Sequence, residues 1–443
     1  MAQEWPRKLS LIFINSNFLT FISRIYILAS EMRKIILLSF YLILIIYSVE
    51  ILAKFFIPKQ NDLINKNMDS LRIAKINKIK NFDVRNDYNA FKEEKEKHDI
   101  YPSFRLSMNT LNKNDKTSKF LKDSITKNIK IPFRGPINKL SLGDNEEGKR
   151  ELISNDKYEF KNFNEVYSKK IDAMIIGDSF AEGVPFDNNN SISGQINENS
   201  NFNSINYGVS GTGPLNSLGV LTEYGKFLMP KKVFYLFYEG NDLIDLLEEK
   251  ETFLINYLDE SYSQNLFISK DQIKIFLTQY EDLFFEILPK MLELKPVKQN
   301  KDNLDNEFKF LEHLKDILEL QNIKRVLIPK DAYYFKNKKI DYKMLENSLT
   351  EMKNRTNSWN GEFHLVFLPS WTRYNSLFSL SDNYIKKELI KIAKDNNIPF
   401  FDMDYIFKKN NMDNINLFNL GIYGHYTKEG YRLLASTIIK ELN

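Results

Sequence analysis

Two hydrophobic regimes divide the chain. Near the N-terminus, Ile35 to Val49 carries no charged residue, and after Glu50 the apolar run resumes at Ile51-Leu52-Ala53 before Lys54 and Phe55-Phe56. That approaches the roughly 20 residues a helix needs to span a bilayer. From Lys170 onward the pattern becomes short apolar runs: Ala173 to Ile176, Ile205 to Tyr207, Val233 to Tyr238, Arg325 to Ile328, Phe363 to Leu368 and Ile398 to Phe401. Amphipathic or polar stretches separate them, the signature of βαβ units, so the pattern predicts an α/β fold with a parallel sheet and helices on both faces. Residues 243–320 exceed what a crossover needs. Their apolar positions recur at three and four, from Ile273-Lys274-Ile275-Phe276 to Leu311, Leu314, Ile317 and Leu318, which predicts a helical insertion beside the site, a substrate-shaping cap.

The flanks orient the apolar segment. Arg33 and Lys34 precede it, so the positive-inside rule puts the N-terminus in the cytoplasm and the rest of the chain outside, as a single-pass protein of the cytoplasmic (inner) membrane. No clean small-x-small cleavage site follows, so residues 32–56 read as an uncleaved transmembrane signal anchor. Residues 9–30 are also apolar but interrupted by Asn15, Asn17 and Arg24. Met32-Arg33-Lys34 looks like a natural start, which leaves 1–31 as a non-native or poorly ordered N-terminal extension. Residues 57–165, rich in Lys, Asn and Asp, read as a membrane-proximal spacer, partly helical, turning into short strands around Ile131-Pro132-Phe133 and Tyr158-Glu159-Phe160. Its charged run from Lys92 to His98 reads as a solvated helix face. The globular domain is then 166–443.

Composition narrows the chemistry. With 62 basic against 58 acidic residues among 443, the chain lacks the electrostatic footprint of a nucleic-acid binder. A 43% apolar and 14% aromatic content can fill a sizeable core. Cysteine is absent, which removes disulfides, thiolate metal sites and a Cys nucleophile together. No His/carboxylate spacing suggests a metal, and Gly211-Thr212-Gly213-Pro214 lacks the Gly-Lys-Ser/Thr of a phosphate loop, so neither metal nor cofactor is expected.

Four pieces, three of them after successive predicted strands, carry candidate chemistry. Gly177-Asp178-Ser179-Phe180 ends the first strand; Asn206-Tyr207-Gly208-Val209-Ser210-Gly211-Thr212-Gly213 follows the second; Glu239-Gly240-Asn241-Asp242 follows the third. Gly424-His425-Tyr426-Thr427 precedes the final amphipathic stretch. Acyl transfer through serine needs a nucleophile, a general base and donors aimed at the developing oxyanion. Ser179, His425, backbone N–H groups of the glycine-dense turn and the Asn241 amide supply those types. Asp178 and Asp242 read as turn braces that bond backbone N–H groups. Ser179 has a plainer reading as an N-cap, and Glu182 and Glu239 either meet substrate hydroxyls or merely occupy turns. His313 and His364 read as structural. Trp371, Arg373 and Tyr374 read as rim packing or a sugar-stacking surface.

In these four blocks the chain resembles the SGNH, or GDSL-type, hydrolases: esterases, lipases, thioesterases and carbohydrate O-acetyl esterases or acetyltransferases. The resemblance covers about residues 170–443. It implies a three-layer flavodoxin-like parallel sheet, Ser179 as nucleophile, His425 as base, and an oxyanion hole from the Ser179 N–H, Gly211 and Asn241. It further implies an acyl ester or acylated cell-envelope glycan as substrate.

The chain departs from the family at two points. Glu239 stands where the third block normally begins with Gly, and Ile422 and Tyr423 stand where an Asp normally precedes the histidine. Either His425 is oriented by a carbonyl or water, or an acid arrives from elsewhere, such as Asp402, Asp404 or Asp413. Three functions follow: a serine acyl-ester hydrolase, a carbohydrate O-acyltransferase sharing its first half-reaction, or a catalytically silent glycan-binding scaffold.

Overall fold

The computed structural model describes residues 5–56, 75–107, 116–293, 318, 320, 341–375, 383–421 and 424–443. The chain falls into two units, one of Met1–Ile64 with Lys301–Ile328, the other of Asn65–Asn300 with Pro329–Asn443. The first contains the helix Trp5–Phe56. Within it Tyr26–Leu52, 27 residues, is long and apolar enough to cross a membrane. Side chains such as Leu38 and Ile45 remain exposed along it. The helix runs unbroken through Glu31 and Met32, so the backbone shows no boundary at that point.

In the second unit four short strands come first: β1 (Phe104–Arg105), β2 (Arg134–Gly135), β3 (Leu140–Leu142) and β4 (Leu152–Ser154). Five parallel strands follow and form its centre: β5 (Ala173–Gly177), β6 (Ser204–Gly208), β7 (Lys232–Tyr238), β8 (Glu362–Leu368) and β9 (Phe400–Asp402). Their order, β6-β5-β7-β8-β9, is the 2-1-3-4-5 arrangement of flavodoxin-like sheets, as the α/β reading expects. The apolar runs at 173–176, 205–207, 233–238 and 363–368 each lie inside a strand. The last run is displaced, because Ile398 N donates to Ala393 O in a helix-terminal turn and the strand begins only at Phe400. The run from Arg325 to Ile328 lies outside the described residues.

The runs are continuous rather than alternating because both sheet faces are covered. Met174, Ile176, Val233, Tyr235 and Leu365 pack on one face with Leu215, Leu218, Leu345 and Leu349 from helices. Ala173, Ile175, Phe234 and Leu236 pack on the other with Phe180, Ile192, Phe407, Leu434 and Ile438. Three layers result.

The stretch read as a spacer joins the first of these faces. Phe104, Leu106, Leu121, Phe133 and Phe160 are buried in the same cluster as Met174 and Tyr207. Strand pairing there is brief: β1 with β2, and β3 with β4, both antiparallel. The strand expected at 131–133 falls at 134–135, and Glu159, expected in a strand, sits at φ 65° instead. The described part of the insertion includes a long helix, Lys270–Glu293, whose Phe276 and Tyr280 rings stand 5.2 and 4.9 Å from Phe104. That part is helical, as its periodicity expects, and it packs on the 75–165 stretch. The segment from Leu311 to Ile317 lies outside the described residues.

Candidate active site

Three adjacent strands deliver the first three blocks to one edge. Gly177 pairs in register with Gly208 on β6 and with Leu236 on β7, so Ser179, Gly211 and Asn241 each lie a few residues beyond the same end of the sheet. Gly177 sits at φ 143°, and a Cβ there would lie 2.7 Å from the Leu236 carbonyl oxygen, so only glycine lets the chain turn here. Asp178 then caps a short helix, Ser179–Glu182, accepting from Phe180 N at 2.9 Å. Ser179 is therefore the first helical residue rather than the N-cap. Its N–H belongs to the turn whose amides lack an intrahelical acceptor.

The fourth block closes on the first. Tyr426 is fully buried, its hydroxyl donating to Pro369 O at 2.7 Å, and Thr427 caps the final helix, Lys428–Leu442, through Gly430 N. Between these anchors the His425 ring lies 4.8 Å from Phe180, and its Nε2 is 2.7 Å from Ser179 Oγ. Residues 246 positions apart thus meet at hydrogen-bond distance.

The opposite ring nitrogen meets an acid that neither the sequence pattern nor the resemblance singles out. His425 Nδ1 is 2.7 Å from Glu146 Oε1, while Glu146 Oε2 accepts the His425 backbone N–H at 2.9 Å. Asn419 Nδ2 donates to the same carboxylate at 3.4 Å. Glu146 lies in the loop joining β3 and β4, and that loop is braced from upstream: Gly148 N donates to Asn145 Oδ1 at 2.9 Å, and Asp83 N donates to Gly148 O at 2.8 Å. Gly424 allows the approach, since a Cβ there would stand 3.1 Å from Glu146 Oε2. Asp402, Asp404 and Asp413 are used elsewhere. Asp402 caps the helix Met403–Lys409, Asp404 pairs with Lys386 and Lys408 at 3.0 and 2.8 Å, and Asp413 accepts from Asn416 N.

Electrostatics follow the geometry. Burial alone would raise the Glu146 pKa, but the charge and hydrogen bonds of His425 bring it down to about 2. Burial alone would lower that of His425; Glu146 reverses this and lifts it above the ordinary 6.5. A carboxylate facing Nδ1 selects the tautomer with the proton there, which leaves the Nε2 lone pair to accept the Ser179 hydroxyl proton.

The remaining expected residues divide by role. Asp242 accepts from Tyr235 Oη at 2.8 Å and Tyr238 N at 3.1 Å, and like Asp178 it braces a turn. Burial pushes the Asp178 carboxyl up to about 6 and that of Asp242 well above its usual range. Asn241 precedes the helix Asp242–Glu249 without capping it, and its Nδ2 donates to Asp245 Oδ2 at 2.8 Å. Gly211 stands at φ 73°.

Glu182 and Glu239 face inward. Glu239 accepts from Arg373 Nε at 2.9 Å and Ser370 N at 3.1 Å, and Tyr374 Oη donates to Asp404 at 3.4 Å. Trp371 and Tyr374, partly buried, pack against the second hydrophobic cluster, as the rim-packing reading expects. Glu182 pairs with Arg134 at 2.7 Å and Arg105 at 3.0 Å and accepts from Ser210 N at 2.9 Å, tying the 75–165 stretch to the glycine-dense turn. His364 is buried and stacked on Phe234 at 4.8 Å, consistent with a structural residue; His313 lies outside the described residues. Replacing Glu182 by Ala would leave the buried Arg134 guanidinium uncompensated. The expected cost is about 3–5 kcal/mol, read as a drop in the denaturant midpoint, and an unchanged midpoint would show the pair to be dispensable.

No protein-family model matches the chain, and no curated protein matches it. Several solved structures are similar in backbone, among them two of the G-D-S-L family. One is described as a lipolytic protein of the G-D-S-L family from Desulfitobacterium hafniense DCB-2, at 15% identity over 60% of this chain and 97% of that one, with TM-score 0.31. The other is a member of the lipolytic protein G-D-S-L family from Veillonella parvula DSM 2008, at 14% identity over 60% and 96%, with TM-score 0.30.

Proposed function

We propose that the chain is a membrane-anchored serine acyl-ester hydrolase whose triad is Ser179, His425 and Glu146. The observation that carries this reading is the unbroken contact line from Glu146 Oε1 through His425 Nδ1 and Nε2 to Ser179 Oγ, 2.7 Å at each contact. Ser179 Oγ attacks the ester carbonyl as its proton passes to Nε2. The tetrahedral oxyanion is held by the Ser179 and Gly211 N–H groups and the Asn241 amide. The imidazolium then protonates the departing alkoxide, leaving an acyl-serine. Water, deprotonated by the same nitrogen, attacks that acyl group and releases the carboxylic acid with Ser179 regenerated.

The basic residues ahead of the apolar helix support a cytoplasmic N-terminus and a catalytic unit outside the inner membrane, where acylated envelope glycans are the substrate class at hand. The lack of an acid at positions 422 and 423 is the motive for a silent scaffold; Glu146 beside His425 Nδ1 supports the hydrolase reading instead. The test is activity-based labelling: the intact protein is expected to take up one fluorophosphonate adduct, mapped to Ser179, and to cleave p-nitrophenyl acetate. A protein that does neither while folded overturns the proposal.

A further inference from the structure

Asn241 departs from what its position favours. Asn at a helix start commonly spends its side chain on the first free N–H groups, yet here it makes no such bond. Its Nδ2 donates instead to Asp245 Oδ2 at 2.8 Å, one turn further along the helix Asp242–Glu249. The amide also hydrogen-bonds with the carboxyl of Asp178, the residue before Ser179, which opposes the rise in pKa that burial gives that carboxyl. One more turn on, Glu249 accepts from Gly213 N at 2.6 Å and Leu215 N at 2.9 Å, which fixes the turn carrying Gly211. Asn241, Asp245 and Glu249 therefore form a row at four-residue spacing on one helix face. Gly213 lets the two loops close, since a Cβ there would meet Asp245 Cβ at 2.9 Å.

We infer that Asp245 is a positioning residue: by accepting the Asn241 Nδ2–H bond it holds that amide away from the helix cap and on the Asp178-Ser179 turn, where its N–H can serve the oxyanion. This rests on the proposed hydrolase reading. A primary amide has two donor hydrogens and rotates about its side-chain bonds. With Asp245 gone and the Asp178 carboxyl alone to hold it, the amide would be free to swing toward the helix N-terminus, and preorganisation, which makes such a donor effective, would be weakened.

The experiment is a double-mutant cycle on the full chain with p-nitrophenyl acetate. Asn241→Ala is expected to lower kcat by about 10²- to 10³-fold. Asp245→Ala is expected to lower kcat about tenfold with KM within a factor of about two, and to have no further effect in the Asn241→Ala background, because it acts only through that amide. Asp245→Asn keeps an acceptor oxygen and is expected to stay within about threefold of wild type. Wild-type kcat in Asp245→Ala, or additive losses in the double variant, would overturn the inference. If Asp245→Ala is not recovered folded, Asp245→Asn decides: activity near wild type supports it, and a loss matching Asn241→Ala overturns it. Wild-type kcat in Asn241→Ala would instead sink the oxyanion assignment itself, a distinguishable result.

Discussion

Glu146→Gln is expected to lower turnover of an activated ester by about 10³- to 10⁴-fold with little change in KM. The carboxylate accepts from both the His425 ring and its backbone N–H. A carboxamide can turn its NH₂ toward Nδ1, which favours the tautomer carrying its proton on Nε2 and removes the lone pair that Ser179 needs. The pH profile should change as well. On the proposed mechanism His425 acts as a base only when neutral, so kcat/KM rises as pH passes its pKa, and Glu146 holds that pKa above 6.5. With the carboxylate gone, burial dominates and the inflection moves to lower pH. A Glu146→Gln enzyme within about threefold of wild type, with an unmoved inflection, would exclude Glu146 from the triad.

The second large effect is expected at the nucleophile. Ser179→Ala should reduce kcat by roughly 10⁶-fold, and His425→Ala by a similar amount, with the double variant no worse than either, because members of one proton-transfer unit do not contribute independently. Neither residue is one of the hydrophobes that build the two layers, although the His425 ring meets Phe180 at their margin, so both proteins should fold. Residual turnover within about tenfold of wild type in Ser179→Ala would mean that another group attacks the ester.

How much of this arrangement is legible in the sequence depends on what each part is made of. The sheet is legible because strands covered on both faces become uninterrupted apolar runs such as Val233 to Tyr238. Ser179 and His425 are legible as candidates because each sits in a short glycine-bearing block at the end of an element. Glu146 is not. It stands 33 positions before Ser179 in a loop of Gly143-Asp144-Asn145-Glu146-Glu147-Gly148, where several acids look equivalent. What distinguishes it is the hairpin geometry of Leu140–Leu142 and Leu152–Ser154, elements of three residues each, too short to leave a periodic pattern. The same holds for the stretch as a whole: Phe104, Phe133 and Phe160 are isolated hydrophobes in polar sequence, yet each is buried. Ion pairs such as Arg134 with Glu182 do the joining there, and pairing between distant charges has no local signature.

The wide separation of the three side chains also dictates a timetable for the newborn polypeptide. Glu146 and Ser179 are translated long before His425, which follows the serine by 246 positions. At a synthesis rate of about 5–20 residues per second, roughly 12 to 50 s elapse before the imidazole exists. On the proposed mechanism Ser179 stays an ordinary alcohol throughout that interval, and the nascent chain would be inert toward every ester it passes.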